Sequence, residues 1–291
     1  LGFLLEETKL ENQRFSILLY QTLKCQLKCS YCGFYPVLVK RDVGRDLKWY
    51  EWLVALNPYR PYTLELCGGE PLLYPDFRNF IAHIPDQCNW SITSNTLLDV
   101  SNIAPRHLSF WNASFHYRDE DKFLENCKTL TRSGMKPSIT LVARQDKMDE
   151  VEHYARLFTD KKFSVVLQRE VNPGVSWEGT DAWKKLQELS KIKNVTRIMD
   201  DESVPADFNF NSYDYCDSGQ KYFCASSDGT VYRCFSDLLR NESIGNIFEF
   251  RPFTEDKRCG KMCRPCGFEL TLSRWNEKSM IVTPEEARMF A

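Results

Sequence analysis

Short apolar runs alternate along the first part of the chain with longer stretches whose apolar residues recur at helical spacing. Phe15-Ser16-Ile17-Leu18-Leu19-Tyr20 reads as a strand, extending to about residue 22. Residues 46–56 (DLKWYEWLVAL) carry apolar positions with the helical period, and Asp46 is placed to cap that helix. Tyr62 to Cys67 reads as a buried strand stopped by Gly68-Gly69-Glu70-Pro71. Pro75 and Asp76 suit the first turn of a helix over 75–84. Further strands are expected at 89–94, 107–115, 136–143 and 163–168, separated by helices at 119–133, with Gly134 as its stop, and at 147–158.

About six strand–helix units in succession are the pattern of a parallel sheet with crossover helices. Function on such sheets gathers at the C-terminal ends of the strands. After Asn172-Pro173-Gly174 the texture changes. One more helix is expected over 180–192, then a polar stretch without a period, then a hairpin in which 221–225 and 230–235 flank the Ser226-Ser227-Asp228-Gly229 turn. A boundary falls near residue 195, giving domains at 1–195 and 196–291. There is no internal repeat and no low-complexity segment.

Composition narrows the class. With 43% hydrophobic and 27% charged residues, the 291-residue chain is an ordinary globular one. A formal charge of -2 leaves no electrostatic footprint for nucleic acid or an anionic membrane. No apolar run reaches the roughly 18 residues of a membrane span. A secretory signal is not expected, because residues 1–14 mix apolar positions with Glu6, Glu7, Lys9 and Glu11. The 12 cysteines without such a signal point to metal binding in a reducing, cytoplasmic setting rather than to disulfides. The four histidines, His83, His107, His116 and His153, have no context that favours imidazole chemistry.

Eight of the cysteines form two groups and a ninth lies beside the second. Cys25, Cys29 and Cys32 follow the first strand as C-x3-C-x2-C. Cys216, Cys234, Cys259, Cys263 and Cys266 lie in the second half, with Cys224 nearby, while Cys67, Cys88 and Cys127 stand alone. Three thiols cannot close a four-thiolate iron–sulfur site, so a cluster on the first group keeps one iron open, as chemistry requires. On spacing alone, zinc is a rival. Gly68 and Gly69 permit close backbone approach and Glu70 adds an acceptor, although an ordinary tight turn would read the same.

Together, on consecutive strands, the cysteine loop and the Gly-Gly-Glu-Pro turn resemble the radical S-adenosylmethionine superfamily, over about residues 15–170. The resemblance implies a partial (β/α)6 TIM-like barrel of parallel strands. It implies that Cys25, Cys29 and Cys32 hold a [4Fe–4S] cluster whose open iron chelates S-adenosylmethionine. Tyr31 would lie near the adenine, and Gly68, Gly69 and Glu70 would position the methionine amino group. Ser94 and Asn95 at the third strand's end, Ser114 at the fourth and Arg144 at the fifth resemble positions that contact the ribose or carboxylate; strand-end polar groups facing water are the alternative. The activity implied is one-electron cleavage of S-adenosylmethionine to a 5′-deoxyadenosyl radical that takes hydrogen from substrate, the cofactor carrying the hard chemistry.

The C-terminal cysteines resemble the opening of a SPASM or twitch extension, a small cysteine-rich module containing a β-hairpin. There Cys216 and Cys234 bracket the Asp228-Gly229 turn, and Cys263 and Cys266 would complete the ligands of a second [4Fe–4S] cluster. No cysteine follows Cys266, so the shorter, twitch-like form is expected. Cys259 is an alternative ligand, and a structural zinc site is the rival reading. Cys224 is either a buried thiol or a hydrogen-atom donor to a product radical, as in some related epimerases.

Two function classes follow: a radical enzyme oxidising, cross-linking or epimerising a peptide or small metabolite, or a non-catalytic iron–sulfur or zinc protein for electron transfer or scaffolding. The second does not account for Gly68 to Pro71. The expected partners are a peptide or small-molecule substrate, with any peptide delivered by a separate partner, and an external one-electron reductant of flavodoxin or ferredoxin type. No nucleic acid and no membrane are expected, and the chain is expected to act as a monomer.

Overall fold

The computed structural model describes residues 14–32, 45–170, 177, 179–197 and 218–254. Its frame is a ten-stranded sheet. The first seven strands are β1 (Phe15–Tyr20), β2 (Tyr62–Cys67), β3 (Asn89–Ser94), β4 (Leu108–Phe115), β5 (Ser138–Ala143), β6 (Ser164–Arg169) and β7 (Val195–Arg197). They lie side by side in chain order, every pair parallel. The six expected strands are all present. The short edge strand β7 carries no pattern long enough to read from sequence.

Strands and helices share one core. Ile17 and Leu19 of β1, Leu64 and Leu66 of β2, Ile92, Trp111, Ile139 and Val165 all point to the same face. Against it pack α1 (Trp49–Leu56), α2 (Phe77–Ala82), α3 (Glu120–Arg132), α4 (Met148–Asp160) and α5 (Asp181–Leu189). The amphipathic spacing explains why: α3 buries Phe123, Cys127 and Leu130 on one stripe, and Asp119 caps it by accepting from the Lys122 N–H at 3.3 Å. Full burial of a side chain such as Phe123 contributes about 1.5–3 kcal/mol. Strands in sequential order with every crossover on one face wind in a single direction, which is the arrangement of a partial TIM-like barrel. The opposite, inner face of β1–β6 therefore carries no crossover helix.

The expected helix start at Asp46 moves. Leu47 N–H is committed to the Ser227 carbonyl at 2.8 Å, so the chain is still extended there. The helix opens at Trp49, with the Glu51 carboxylate accepting from the Lys48 N–H at 2.8 Å and gripping Arg45 through two contacts.

The hairpin forms as β8 (Tyr222–Ala225) and β9 (Thr230–Tyr232). Gly229 takes a positive φ of 86°, and Asp228 accepts from the Thr230 N–H at 3.0 Å. Strand β9 is shorter than expected because Cys234 caps α6 (Phe235–Arg240). β10 (Ser243–Asn246) pairs with β9. The hairpin does not stand apart: β8 runs parallel to β1, Leu18 opposite Cys224, and extends the main sheet. Among the described residues no helix is long and apolar enough to cross a membrane.

Candidate active site

Beyond the C-terminal end of β1 the chain turns through Thr22 into the cysteine loop. Cys25, Cys29 and Cys32 are free and half-buried. The loop is braced by Leu27 N–H on Cys25 Sγ at 3.4 Å and by Cys32 N–H on the Cys29 carbonyl at 3.1 Å. Burial pushes the Cys25 and Cys29 thiols up, and each also feels Cys32. Thiols held protonated in this way become ligands only when a metal cation displaces the proton. Among the described residues no three His, Cys, Asp or Glu side chains converge as a single ion requires.

The Gly-Gly-Glu-Pro turn at the end of β2 lies directly against this loop. Gly69 N–H donates to the Thr22 carbonyl at 3.3 Å and Glu70 N–H to the Lys24 carbonyl at 2.8 Å. A side chain at Gly69 would put Cβ 2.1 Å from the Lys24 carbonyl oxygen. Gly68 holds φ at 133°, and a Cβ there would meet the Thr22 carbonyl oxygen at 2.6 Å. Both glycines let two backbone segments touch.

Glu70 is fully buried, and its carboxylate collects three donors. Ser94 Oγ donates at 2.7 Å, Asn95 N–H at 2.7 Å and Leu72 N–H at 3.1 Å. Burial outweighs these donors and pushes its carboxyl up to about 7. The side chain thus ties the ends of β2 and β3 together. Asn95 continues the network, its Oδ1 accepting from Gln26 Nε2 at 3.0 Å and Leu97 N–H at 3.1 Å. The cysteine loop is therefore anchored to two neighbouring strand ends.

A second group closes around Tyr31. Its hydroxyl lies 3.0 Å from Nδ1 of His116, the two rings stack with centroids 5.9 Å apart, and the Arg144 guanidinium sits 5.7 Å from the Tyr31 ring centre. Asp146 holds Arg144 through contacts of 3.1 and 2.9 Å, with Glu170 at 3.6 Å. Burial pushes His116 down to about 4, so the imidazole is neutral near pH 7 and its ring nitrogens share one proton. Sequence reading passed over His116. Its position one residue past the C-terminal end of β4 was the available signal. Ser114 lies on the inner face of β4, opposite Thr140.

The inner face carries further chemistry. Tyr20 and Cys67 are partners across β1 and β2. Burial and then Cys67 push the Tyr20 phenol up, and burial pushes the Cys67 thiol up. Cys224 is fully buried in a small cluster with Leu18, Tyr20, Tyr222, Tyr232, Cys234 and Leu238, its Sγ 3.4 Å from the Tyr222 hydroxyl. Cys234 shares that cluster; Cys216, Cys259, Cys263 and Cys266 lie outside the described residues.

No family model matches the sequence. No curated protein matches it either. Solved structures do. The chain is similar to SuiB of Streptococcus suis bound to S-adenosylmethionine, with a TM-score of 0.63 and 16% identity over 85% of this chain and 67% of that one. SuiB bound to its precursor peptide SuiA gives 0.62 and 15%, over 86% and 66%. Native anSMEcpe with bound AdoMet and the Kp18Cys peptide gives 0.59 and 17%, over 81% and 78%. At these identities the likeness is one of fold.

Proposed function

We propose that the chain is a radical S-adenosylmethionine enzyme that acts on a peptide or small-metabolite C–H bond. The observation that carries this reading is the joint between the two motifs. A three-thiol loop and a Gly-Gly-Glu-Pro turn are bonded backbone to backbone at adjacent strand ends, with Glu70 locking both to β3. SuiB and anSMEcpe, which share the fold, are bound to S-adenosylmethionine, and both are also bound to peptides.

In this reading Cys25, Cys29 and Cys32 hold the [4Fe–4S] cluster. Bound there with S-adenosylmethionine, it supplies one-electron cleavage of the sulfonium, driven by an external reductant. The chain's own residues do the positioning. The Gly68–Gly69 backbone offers a surface for the amino group, and Glu70 keeps that backbone in place. Tyr31 presents a ring to the adenine, its tilt set by His116 and Arg144. Arg144 also brings positive charge toward the carboxylate. The inner face of the sheet receives the substrate and limits water around the reacting carbon. A second cluster on Cys216, Cys234, Cys263 and Cys266, with Cys259 as substitute, belongs to the same proposal.

Anaerobic reconstitution with iron and sulfide, followed by S-adenosylmethionine and a strong reductant, tests it. We expect 5′-deoxyadenosine from the native chain and none from Cys29→Ala. Equal yields from both would overturn the proposal. Roughly eight irons per chain would support two cubanes, and about four with one zinc would assign zinc to the tail.

A further inference from the structure

The inner face holds a carboxyl that the reaction chemistry above does not use. Glu65 sits between Leu64 and Leu66, which point into the helix-side core, so its side chain lies on the opposite face. Register places it in one row across four strands: Leu18 opposite Glu65, Glu65 opposite Ser91, Ser91 opposite Phe110. Protein encloses Glu65 on nearly every side while part of its surface stays open on the inner face. That desolvation pushes its carboxyl up to about 7.

Several other polar groups of this face have partners. Asn112 Nδ2 donates to Thr93 Oγ1 at 3.3 Å, Thr140 Oγ1 donates to Asn112 Oδ1 at 2.6 Å, and Ser91 Oγ donates to the Leu64 carbonyl at 3.3 Å. Glu65 has no hydrogen bond and no ion pair among the described residues. Its ionisable neighbours are Tyr20 and Cys67, both acids whose protons burial holds on. By alternation, no lysine or arginine falls on the inner face of β1–β6. Without a donor or cation among the described residues, the enclosed carboxyl is free to meet a donor that a ligand brings.

Phe110 completes the row. It is 47% exposed, which is unusual for a strand phenylalanine whose neighbour Trp111 is buried. Strand spacing puts it about 10 Å from Glu65, two strands away. An exposed aromatic face in the same row as one carboxyl matches an alkyl chain ending in a cation.

We propose that Glu65, with Phe110, forms a subsite on the inner face for a protonated alkyl amine carried by the substrate. This rests on the reading that the inner face is the substrate cavity. The subsite fixes substrate class: a molecule or peptide bearing a lysine-like side chain, its ammonium on Glu65 and its methylenes along the row toward Phe110.

Binding of n-pentylamine, n-pentanol and n-pentanoate to the full cluster-loaded chain, without S-adenosylmethionine or reductant, tests this separately from the radical reaction. At pH 8, where Glu65 is ionised, saturation-transfer NMR titration should give at least tenfold tighter binding of the amine than of the alcohol. At pH 5.5, where the carboxyl is protonated, that preference should fall below threefold. Glu65→Gln should abolish it at pH 8 without changing alcohol affinity. Phe110→Ser should weaken both amine and alcohol at least threefold, and the exposed control Glu125→Gln should change neither. Equal amine and alcohol binding at pH 8 overturns the subsite, as does a preference that survives Glu65→Gln. The pH arm needs no variant, so a misfolded mutant does not spare the idea. Failure of 5′-deoxyadenosine formation with the amine preference intact would instead refute the proposed reaction and leave the subsite standing.

Discussion

Gly69→Ala tests whether the joint between the two motifs is what builds the site. Gly69 does not occupy the left-handed region, so its backbone would accept a side chain; only the close approach forbids one. The added Cβ would stand 2.1 Å from Lys24 O, 2.5 Å from Lys24 C and 2.6 Å from Leu23 O. All three are backbone atoms, which cannot swing aside as a side chain does. Reaching ordinary contact means moving the chain by about 1 Å one residue before Cys25, and overpacking of this kind costs about 1–3 kcal/mol. The shift also breaks the Gly69–Thr22 and Glu70–Lys24 hydrogen bonds, about 1 kcal/mol each. We expect a total loss of about 3–5 kcal/mol in urea unfolding of the full chain, with iron content reduced at least by half. Gly134→Ala is the contrast. Nothing lies within 4 Å of its Cβ and φ is 83°, so its cost is the left-handed conformation alone, roughly 1–2 kcal/mol, with iron unchanged. If Gly69→Ala unfolds within 1 kcal/mol of the native chain and binds iron in full, the reasoning is wrong.

Glu70 predicts a pH dependence. Its folded carboxyl stands near 7, above the ordinary value of 4.5, so its contribution is complete below about pH 4.5 and is lost as pH rises through 7. The loss amounts to roughly 3 kcal/mol by pH 8, and Glu70→Gln should flatten that part of the stability–pH curve while costing about 1–3 kcal/mol at pH 5, where the Asn95 N–H loses its acceptor. Parallel curves for the two proteins would contradict this. Tyr31→Phe removes the hydroxyl at His116 but keeps the ring beside Arg144, so S-adenosylmethionine should bind roughly fivefold more weakly by equilibrium dialysis, a change of about 1 kcal/mol. Cys224→Ala should cost about 1–2 kcal/mol as a buried truncation. If Cys224 is also a hydrogen-atom donor, that variant alone should lose deuterium transfer from exchanged thiol into product.

Much of the architecture was legible because each parallel strand buries one face against a helix stripe. That requirement writes alternation into β2 and β3 and amphipathic spacing into α3 and α4. The motifs of Cys25, Cys29 and Cys32 and of Gly68 to Glu70 stood out for another reason: their spacing is local, and the two glycines face backbone that leaves no room for a Cβ. Helix boundaries were less legible. Asp46 has the right chemistry for a cap, yet the distant Ser227 carbonyl claims the next N–H and keeps the chain extended.

The sequence by itself determined most of the elements, their order and the two motifs, since these follow from periods and spacings within a few residues. Only the tertiary structure decided which side chains meet. Tyr31 and His116 are 85 residues apart, and nothing local brings an imidazole to that ring. The Glu70 carboxylate faces Ser94 and Asn95 because β2 pairs with β3, a brace that no local pattern announces. The row Leu18, Glu65, Ser91, Phe110 exists through register across four strands, and Cys224 joins the inner face because β8 adds beside β1. Periodicity is a property of one strand, whereas register is settled by packing between strands. The cysteine loop was visible from the start; the surface on which its chemistry would act was not.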